Sequence, residues 1–179
     1  MMNRRRFLQY GLGGTILLGV GGGLLSVQQT ALRTPKRALK VLSPEQFSIF
    51  AAVADCLLPG GDGLPPAAEL EVIEGIDDVL AVAPPIHLDD LGALLILLEN
   101  ATAGALLDRR PRPFTVCDRE TQLATLERWR HSTITIRKIG YKALRGLCMS
   151  SYYGNESIYA SIGYPGPPDY GNTQREAAQ

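Results

Sequence analysis

The sequence lacks most of the residues and motifs on which enzyme chemistry depends. It has two histidines, His87 and His131, and three cysteines, none of them in a C-x-x-C pair. It also has no P-loop, no G-x-S-x-G motif and no glycine-rich nucleotide-binding loop after a strand. Two histidines are too few for most metal sites, and the cysteine spacing excludes c-type haem attachment. We therefore expect no catalytic residue, no metal and no cofactor in this chain.

The first 26 residues have the pattern of an export signal. A basic head followed by an apolar stretch is typical of secretory signals, and residues 8–25 are uncharged and rich in glycine. An arginine pair before Phe-Leu favours the twin-arginine (Tat) route, so we predict export to the periplasm, at the periplasmic face of the inner membrane. A run of this length also spans a bilayer, which leaves a retained anchor as the alternative. The signal residues are Arg4, Arg5, Arg6, Phe7 and Leu8.

Charge is segregated along the chain although the formal net charge is zero. Residues 1–40 include seven basic and no acidic residues, residues 41–108 twelve acidic and no basic ones, and residues 109–145 ten basic and three acidic ones. Two interpretations follow: either the halves of the folded domain attract each other, or the second half binds an acidic partner or anionic lipid. Residues 27–42 are predicted to be a basic linker. No nucleic acid is expected as a partner of an exported protein.

Residues 43–163 are predicted to form an all-α bundle of five to six helices. Ser43, Pro44 and Gln46 form a capping box at the start of the first helix. The third helix is apolar nearly all round, so we expect it to be the buried centre of the bundle. Residues 133–136 are β-prone by composition, but the helical spacing of the apolar residues after them favours a long fifth helix. After the first helix, the others are predicted at about 67–82, 87–107, 118–130, 133–151 and 155–163.

Residues 164–179 form a tail that is rich in proline and tyrosine. Prolines prevent this segment from joining a helix, and five of the seven tyrosines lie from Tyr152 onward. Tyrosines beside a stiff segment favour docking to a partner, although a tail packed on its own domain is the alternative. The candidate docking residues are Tyr152, Tyr153, Tyr164, Pro165, Pro167 and Pro168.

Cys148 lies near this aromatic end of the chain. An exported protein meets an oxidising compartment in which disulfides form, and three cysteines leave at least one without a partner in the same chain. Cys148 is therefore our candidate for a disulfide bond to a partner subunit. Three buried free thiols are the alternative.

Five short landmarks follow the Tat signal in order: LSPEQF at 42–47, AAVAD at 51–55, LLP at 57–59, YYGNE at 152–156 and IGYPGPP at 162–168. In this order the chain resembles the small subunit of the gluconate 2-dehydrogenase family, also called subunit 3 or the gamma subunit. The landmarks extend over most of the chain after the signal, and none of them is catalytic.

The resemblance implies a complex of three kinds of subunit. A large flavoprotein of the glucose-methanol-choline type holds FAD and oxidises the substrate, and a multihaem cytochrome c holds haem c and accepts the electrons. The small subunit escorts the flavoprotein through the Tat translocase and stabilises it afterwards. Two rival hypotheses are a stand-alone, membrane-tethered helical protein that binds a small apolar ligand, and an enzyme that uses Cys56 or Asp55.

Overall fold

The first helix begins where the capping residues place it. In the computed structural model, which describes residues 30–167, α1 spans Pro44–Leu57. The Ser43 Oγ accepts the backbone N–H of Gln46 at 3.2 Å, and the Gln46 side chain accepts the backbone N–H of Ser43 at 2.9 Å. Phe50 and Val53 are fully buried. The predicted capping box is confirmed, and α1 lies at the centre of the bundle.

Five further α-helices follow in the part of the chain that the structure describes, and no strand is present there. Short 3-10 turns precede two of them, at Ala67–Glu69 and Phe114–Val116, and a third turn, Glu156–Ile158, follows the last helix. The prediction of an all-α bundle is confirmed. The helices are α2 Val72–Ala81, α3 Pro85–Glu99, α4 Ala101–Asp108, α5 Arg119–Arg130 and α6 Thr135–Tyr153.

Two helix predictions hold closely because their signals are local. Asp118 caps α5 by accepting the backbone N–H of Thr121 at 2.8 Å, as its side-chain chemistry favours. The β-prone residues 133–136 do not form a strand, since the last two already belong to α6, and the long fifth helix predicted there is confirmed. The second predicted helix begins later than expected. Glu71 adopts a left-handed conformation with φ 51°, which separates the 3-10 turn from α2.

The third predicted helix is two helices, because the chain bends by 68° between α3 and α4. Asn100 has an extended backbone, and its side chain accepts the backbone N–H of Ala103 at 2.8 Å. A side-chain oxygen that binds this N–H is the usual N-terminal cap of a new helix. The prediction of one continuous helix over 87–107 is therefore wrong.

The α3–α4 pair is not the buried centre of the bundle, contrary to the sequence prediction. Ile96 is 65% exposed and Leu106 is 78% exposed, whereas Leu95 and Leu98 are fully buried. Among the described helices none is by itself long and apolar enough to cross a membrane, and the bent α3–α4 pair meets that criterion only when both helices are counted together.

α6 joins the bundle by packing on α1, α2 and α5. Its buried face recurs every three or four residues: Arg137, Gly140, Leu144, Cys148 and Tyr152. A Cβ atom on Gly140 would lie 2.3 Å from Leu94 Cδ1 and 3.1 Å from Trp129 Cζ3. Glycine at this position therefore allows α6 to approach α3 and α5 closely.

Residues 30–42, which precede α1, lie against the domain, and we call this segment the strap. The strap has no regular secondary structure. Its backbone donates hydrogen bonds to the side chains of Ser48 on α1 and of Glu74 and Asp77 on α2. The part of the predicted basic linker that the structure describes is thus attached to the bundle along its length.

Candidate partner-binding surface

The C-terminal end of α6 and the residues just after it are fixed by three side chains to the connection between α1 and α2 and to the first residue of α2. Ser151 Oγ donates to the Val72 carbonyl at 2.7 Å, and Asn155 Nδ2 donates to the Leu70 carbonyl at 3.1 Å. Tyr152 Oη donates to the carbonyl of Pro65, also in this connection, at 2.6 Å. These bonds make the end of α6 a rigid base for the residues that follow it.

Tyr152 is part of the core and not of the exposed surface. Only 2% of the residue is exposed, and burial, together with the neighbouring Tyr153, raises the pKa of its hydroxyl. The prediction that Tyr152 docks a partner is therefore corrected: its ring packs inside the bundle and its hydroxyl is already bonded. Its position four residues after Cys148 and eight after Leu144 places it on the buried helix face.

The other candidate docking residues that the structure describes are exposed. Tyr153 is 44% exposed and Tyr164 is 41% exposed. Tyr164 returns towards the bundle, because its backbone N–H binds the Tyr159 carbonyl at 2.9 Å and its ring meets the Tyr159 ring edge-to-face at 4.9 Å. We call this group the C-terminal aromatic surface: Tyr153, Tyr159, Ile162, Tyr164, Pro165 and Pro167. Pro168 lies outside the described residues.

The three cysteines are free thiols. Cys148 is fully buried, and burial raises its pKa to about 12. Burial raises the pKa of Cys56 to about 11 and also raises that of Cys117, which is half-buried while the other two are buried. A thiol bonded to a partner subunit must reach the surface, so the burial of Cys148 argues against it as the bridging residue. Thiols with raised pKa values also make poor nucleophiles.

The strap binds a set of carboxylates on α1 and α2. Asp77 is fully buried, and its carboxylate accepts the backbone N–H groups of Lys40 at 2.6 Å, Val41 at 3.0 Å and Leu42 at 2.8 Å. Burial alone would raise the pKa of Asp77, but these three hydrogen bonds outweigh it and hold the pKa below its ordinary value. Asp77 thus holds the strap at the point where it enters α1.

Basic side chains of the strap reach the neighbouring acids. Arg37 Nη2 lies 2.5 Å from Asp78 Oδ2, Lys40 Nζ lies 2.8 Å from Asp78 Oδ1, and Arg33 Nη1 lies 2.5 Å from Asp55 Oδ2. Asp55, a candidate catalytic residue in one of the rival hypotheses, is therefore paired. The charge segregation along the sequence was the signal for these contacts. The attraction is between the strap and the first two helices, whereas the sequence had suggested the two halves of the domain.

The attraction between the two halves of the domain is limited to one place among the described residues. Asp108 on α4 binds Arg137 on α6, and its carbonyl accepts Arg128 Nη1 at 2.5 Å. Several basic residues of the second half remain exposed without an ion pair among those described. They include Arg109, Arg119, Lys138, Lys142 and Arg145.

Residues 30–167 bring no three His, Cys, Asp or Glu side chains together in an arrangement that could hold a metal ion. Two small cavities are present, one of about 120 Å³ between the strap, α1 and α2, and one of about 210 Å³ beside Leu42 and Leu91. Pockets that enclose a small-molecule ligand usually measure roughly 300–1,000 Å³. Neither of these two cavities reaches that size. The predicted export-signal residues Arg4 to Leu8 lie outside the described residues.

The comparison with protein families gives one match, to the model of gluconate 2-dehydrogenase subunit 3, over residues 44–166. The chain belongs to this family. The match begins at the first residue of α1 and ends beyond Tyr164, so it includes the whole bundle and most of the C-terminal aromatic surface. The strap precedes it. No curated protein and no solved structure matches the chain.

Membership of the subunit 3 family confirms the resemblance that the landmarks carried. It implies an accessory subunit of a dehydrogenase complex that contains other subunits. Such a subunit needs a surface for a protein partner, and the C-terminal aromatic surface is our candidate for it.

Proposed function

We propose that this chain is the non-catalytic small subunit of a flavin-dependent dehydrogenase complex and that it escorts the catalytic subunit through the Tat translocase. The family match over the whole helical bundle is the observation that carries the proposal. The arginine pair Arg4-Arg5 ahead of Phe7 and Leu8 supports the route. In this proposal the complex acts on a sugar, a sugar acid or an alcohol at the periplasmic face of the inner membrane.

The proposed partner is a large flavoprotein of the glucose-methanol-choline type that holds the FAD, with a multihaem cytochrome c that holds haem c. The C-terminal aromatic surface supports a protein partner, because exposed tyrosines supply a large contact area at a low entropic cost. Its rigid base on Tyr152 and Asn155 reduces the loss of freedom on docking. After export, the small subunit stabilises the flavoprotein by remaining bound.

The escort role is tested by expressing this chain together with the large subunit and replacing Arg4 and Arg5 by lysine. Both subunits are expected to remain in the cytoplasm, because the large subunit depends on the signal of the small one. A matched control replaces Arg119 and Arg145, which are exposed and outside the signal, by lysine, and export should continue. Cell fractionation with immunoblotting of both subunits gives the result. Normal periplasmic amounts of the large subunit in the Arg4-Arg5 variant would refute the escort.

A further inference from the structure

Asp108, the last residue of α4, is buried and binds the ends of two other helices. Its carboxylate accepts Trp129 Nε1 of α5 at 3.2 Å and also binds Arg137 of α6. The Arg137 guanidinium carbon lies 5.7 Å from the centre of the Trp129 ring. We call Asp108, Trp129 and Arg137 the hub. It joins the C-terminal ends of α4 and α5 to the first turn of α6.

Six residues within two positions of Asp108 or Arg137 in the sequence are exposed and are either apolar or basic. Each lies within two residues of a hub residue, so its Cα is at most about 7.6 Å from that of the hub residue. Among the apolar ones Leu106 is 78% exposed and Ile139 is 52% exposed. We call this group the hub surface: Leu106, Leu107, Arg109, Ile136, Lys138 and Ile139.

The charge of the hub surface is positive. Arg109 and Lys138 are in no ion pair among the described residues. Of the nearby acids, Asp108 is buried in the hub, and Glu127 is paired with the basic residues at the end of α5. The exposed carboxylates of α3, Asp89 and Asp90, belong to its N-terminal half. The hub surface therefore combines positive charge with exposed aliphatic side chains.

This combination suits a lipid surface better than a protein. Protein interfaces are depleted in lysine and enriched in aromatic residues, whereas no aromatic ring is among the residues of the hub surface. Aliphatic side chains with lysine and arginine beside them are typical of surfaces that lie in the headgroup region of an anionic bilayer. The tyrosines are at the other end of α6, since Arg137 and Tyr153 are 16 residues apart and a helix rises about 1.5 Å per residue, or about 24 Å in all.

We propose that the hub surface docks onto anionic phospholipid, with its leucines and isoleucines in the headgroup region and Arg109 and Lys138 beside the phosphates. The two ends of α6 then face different partners: the N-terminal end lies against the bilayer, and the C-terminal end contacts the large subunit. The proposal uses the proposed function only in placing the chain at a membrane.

The chain has one tryptophan, Trp129, and that residue lies in the hub. This makes a direct test available with the full-length chain. The chain is added to vesicles of phosphatidylglycerol and phosphatidylcholine whose acyl chains carry bromine, a short-range quencher of indole fluorescence. Residues 8–25 are expected to bind every vesicle, so binding alone decides nothing. Quenching of Trp129 reports whether the hub end of the domain lies against the bilayer.

We expect strong quenching in the anionic vesicles and little in vesicles of phosphatidylcholine alone. Lys138→Gln should shift the ratio of docked to undocked domain by about fivefold, because one basic residue near an anionic surface contributes roughly 1 kcal/mol. Ile139→Ser should also reduce the quenching. Arg119→Gln, a matched change at the opposite end of α5 from Trp129, should leave it unchanged. Circular dichroism confirms that each variant is folded.

Three results would overturn the proposal. One is an absence of quenching in anionic vesicles to which the chain is bound, and another is equal quenching with and without phosphatidylglycerol. The third is a Lys138→Gln variant with normal quenching that loses the large subunit on co-purification, since the hub surface would then be a protein interface. The escort test is independent, because it follows the export of the large subunit and not the fluorescence of this chain.

Discussion

At the scale of single residues, Asp77 illustrates how a buried charge is stabilised without a basic partner of its own. Its carboxylate is fully buried and accepts three consecutive backbone N–H groups of the strap. Hydrogen bonds to a charged acceptor are stronger than neutral ones, and removing the charge leaves the donors only partly satisfied. The stability of the fold should therefore depend on the ionisation of this residue.

Asp77→Asn is expected to lower the free energy of unfolding by about 1–3 kcal/mol at neutral pH. The pKa of Asp77 is below its ordinary value of 3.8, so its contribution is complete above that value and is lost as the pH falls through the folded-state pKa. The difference in the free energy of unfolding between wild type and Asp77→Asn should thus be constant from pH 7 to about pH 5 and shrink below pH 4. Urea unfolding at several pH values measures it.

Asp89→Asn is the matched control for this prediction, because Asp89 is exposed and has no side-chain hydrogen bond among the described residues. Its free energy of unfolding should stay within about 0.5 kcal/mol of wild type. A pH-independent loss in Asp77→Asn would contradict the role given to the charge.

Two glycines of α6 should respond to the same substitution in opposite directions. Gly140→Ala places a Cβ atom 2.3 Å from Leu94 Cδ1, and the overpacking should destabilise the fold by about 1–3 kcal/mol. Gly146 has open space around it, so Gly146→Ala should stabilise the fold by about 0.4–1 kcal/mol through its higher helix propensity. Thermal unfolding of both variants measures the two changes in stability. Equal changes would show that helix propensity alone determines the effect of the substitution.

At the scale of elements, the C-terminal aromatic surface and the helix that supports it should be separable. Tyr164 contacts Tyr159 within the same segment, while α6 is held to the connection between α1 and α2 by Tyr152 and Asn155. The residues after Gly163 therefore add little to the core of the bundle.

Deleting residues 164–179 is expected to reduce co-purification of the large subunit while leaving the melting temperature nearly unchanged. The physical reason is that residues 164–167, the part of this segment that the structure describes, are exposed or half-buried, and a stiff proline-rich segment loses little entropy when a partner binds it. Tyr152→Phe serves as the opposite control, because it removes the hydrogen bond to Pro65. It should lower the melting temperature more than it reduces co-purification of the large subunit. A truncated chain that melts much earlier yet binds its partner normally would show that the tail belongs to the core.

At the scale of the whole molecule, local signals predicted the helices and missed how they pack. Ser43 and Asp118 cap helices through contacts three residues away, so the sequence reveals them directly. The contacts of the strap with Asp77 and Asp78 join residues 35–41 apart. Charge segregation indicated an attraction, but it did not identify the partners, because opposite charges satisfy each other in many arrangements.

The burial of Tyr152 was open to prediction and was missed for a different reason, while that of Cys148 was predicted only as the alternative. Residues 144, 148 and 152 recur at a spacing of four, which places them on one face of α6. A cysteine or tyrosine on such a face packs as an apolar residue. The break at Asn100 had a weaker signal, since asparagine inside an apolar run is compatible with both a cap and an exposed helical position.

The strap makes the stable unit of this chain larger than the segment that matches the family. Without residues 30–42, the buried groups Ser48, Glu74 and Asp77 lose the N–H donors that they bind in the intact chain. Each unsatisfied buried group costs about 1–3 kcal/mol, while a domain of this size is stable by only about 5–15 kcal/mol. A chain that begins at Ser43 is therefore expected to melt well below one that begins at Thr30.

Combining this truncation with Asp77→Ala tests whether the hydrogen bonds to Asp77 are the reason why the strap stabilises the fold. In the chain from Thr30, Asp77→Ala removes the acceptor of three N–H groups and should destabilise strongly. In the chain from Ser43 those N–H groups are absent, so the same substitution removes no hydrogen bond to the strap and should be close to neutral. Urea unfolding of the four proteins measures the coupling energy between strap and carboxylate. If Asp77→Ala lowers the free energy of unfolding of both chains equally, Asp77 stabilises the fold through contacts within the helices. Its hydrogen bonds to the strap then add no stability.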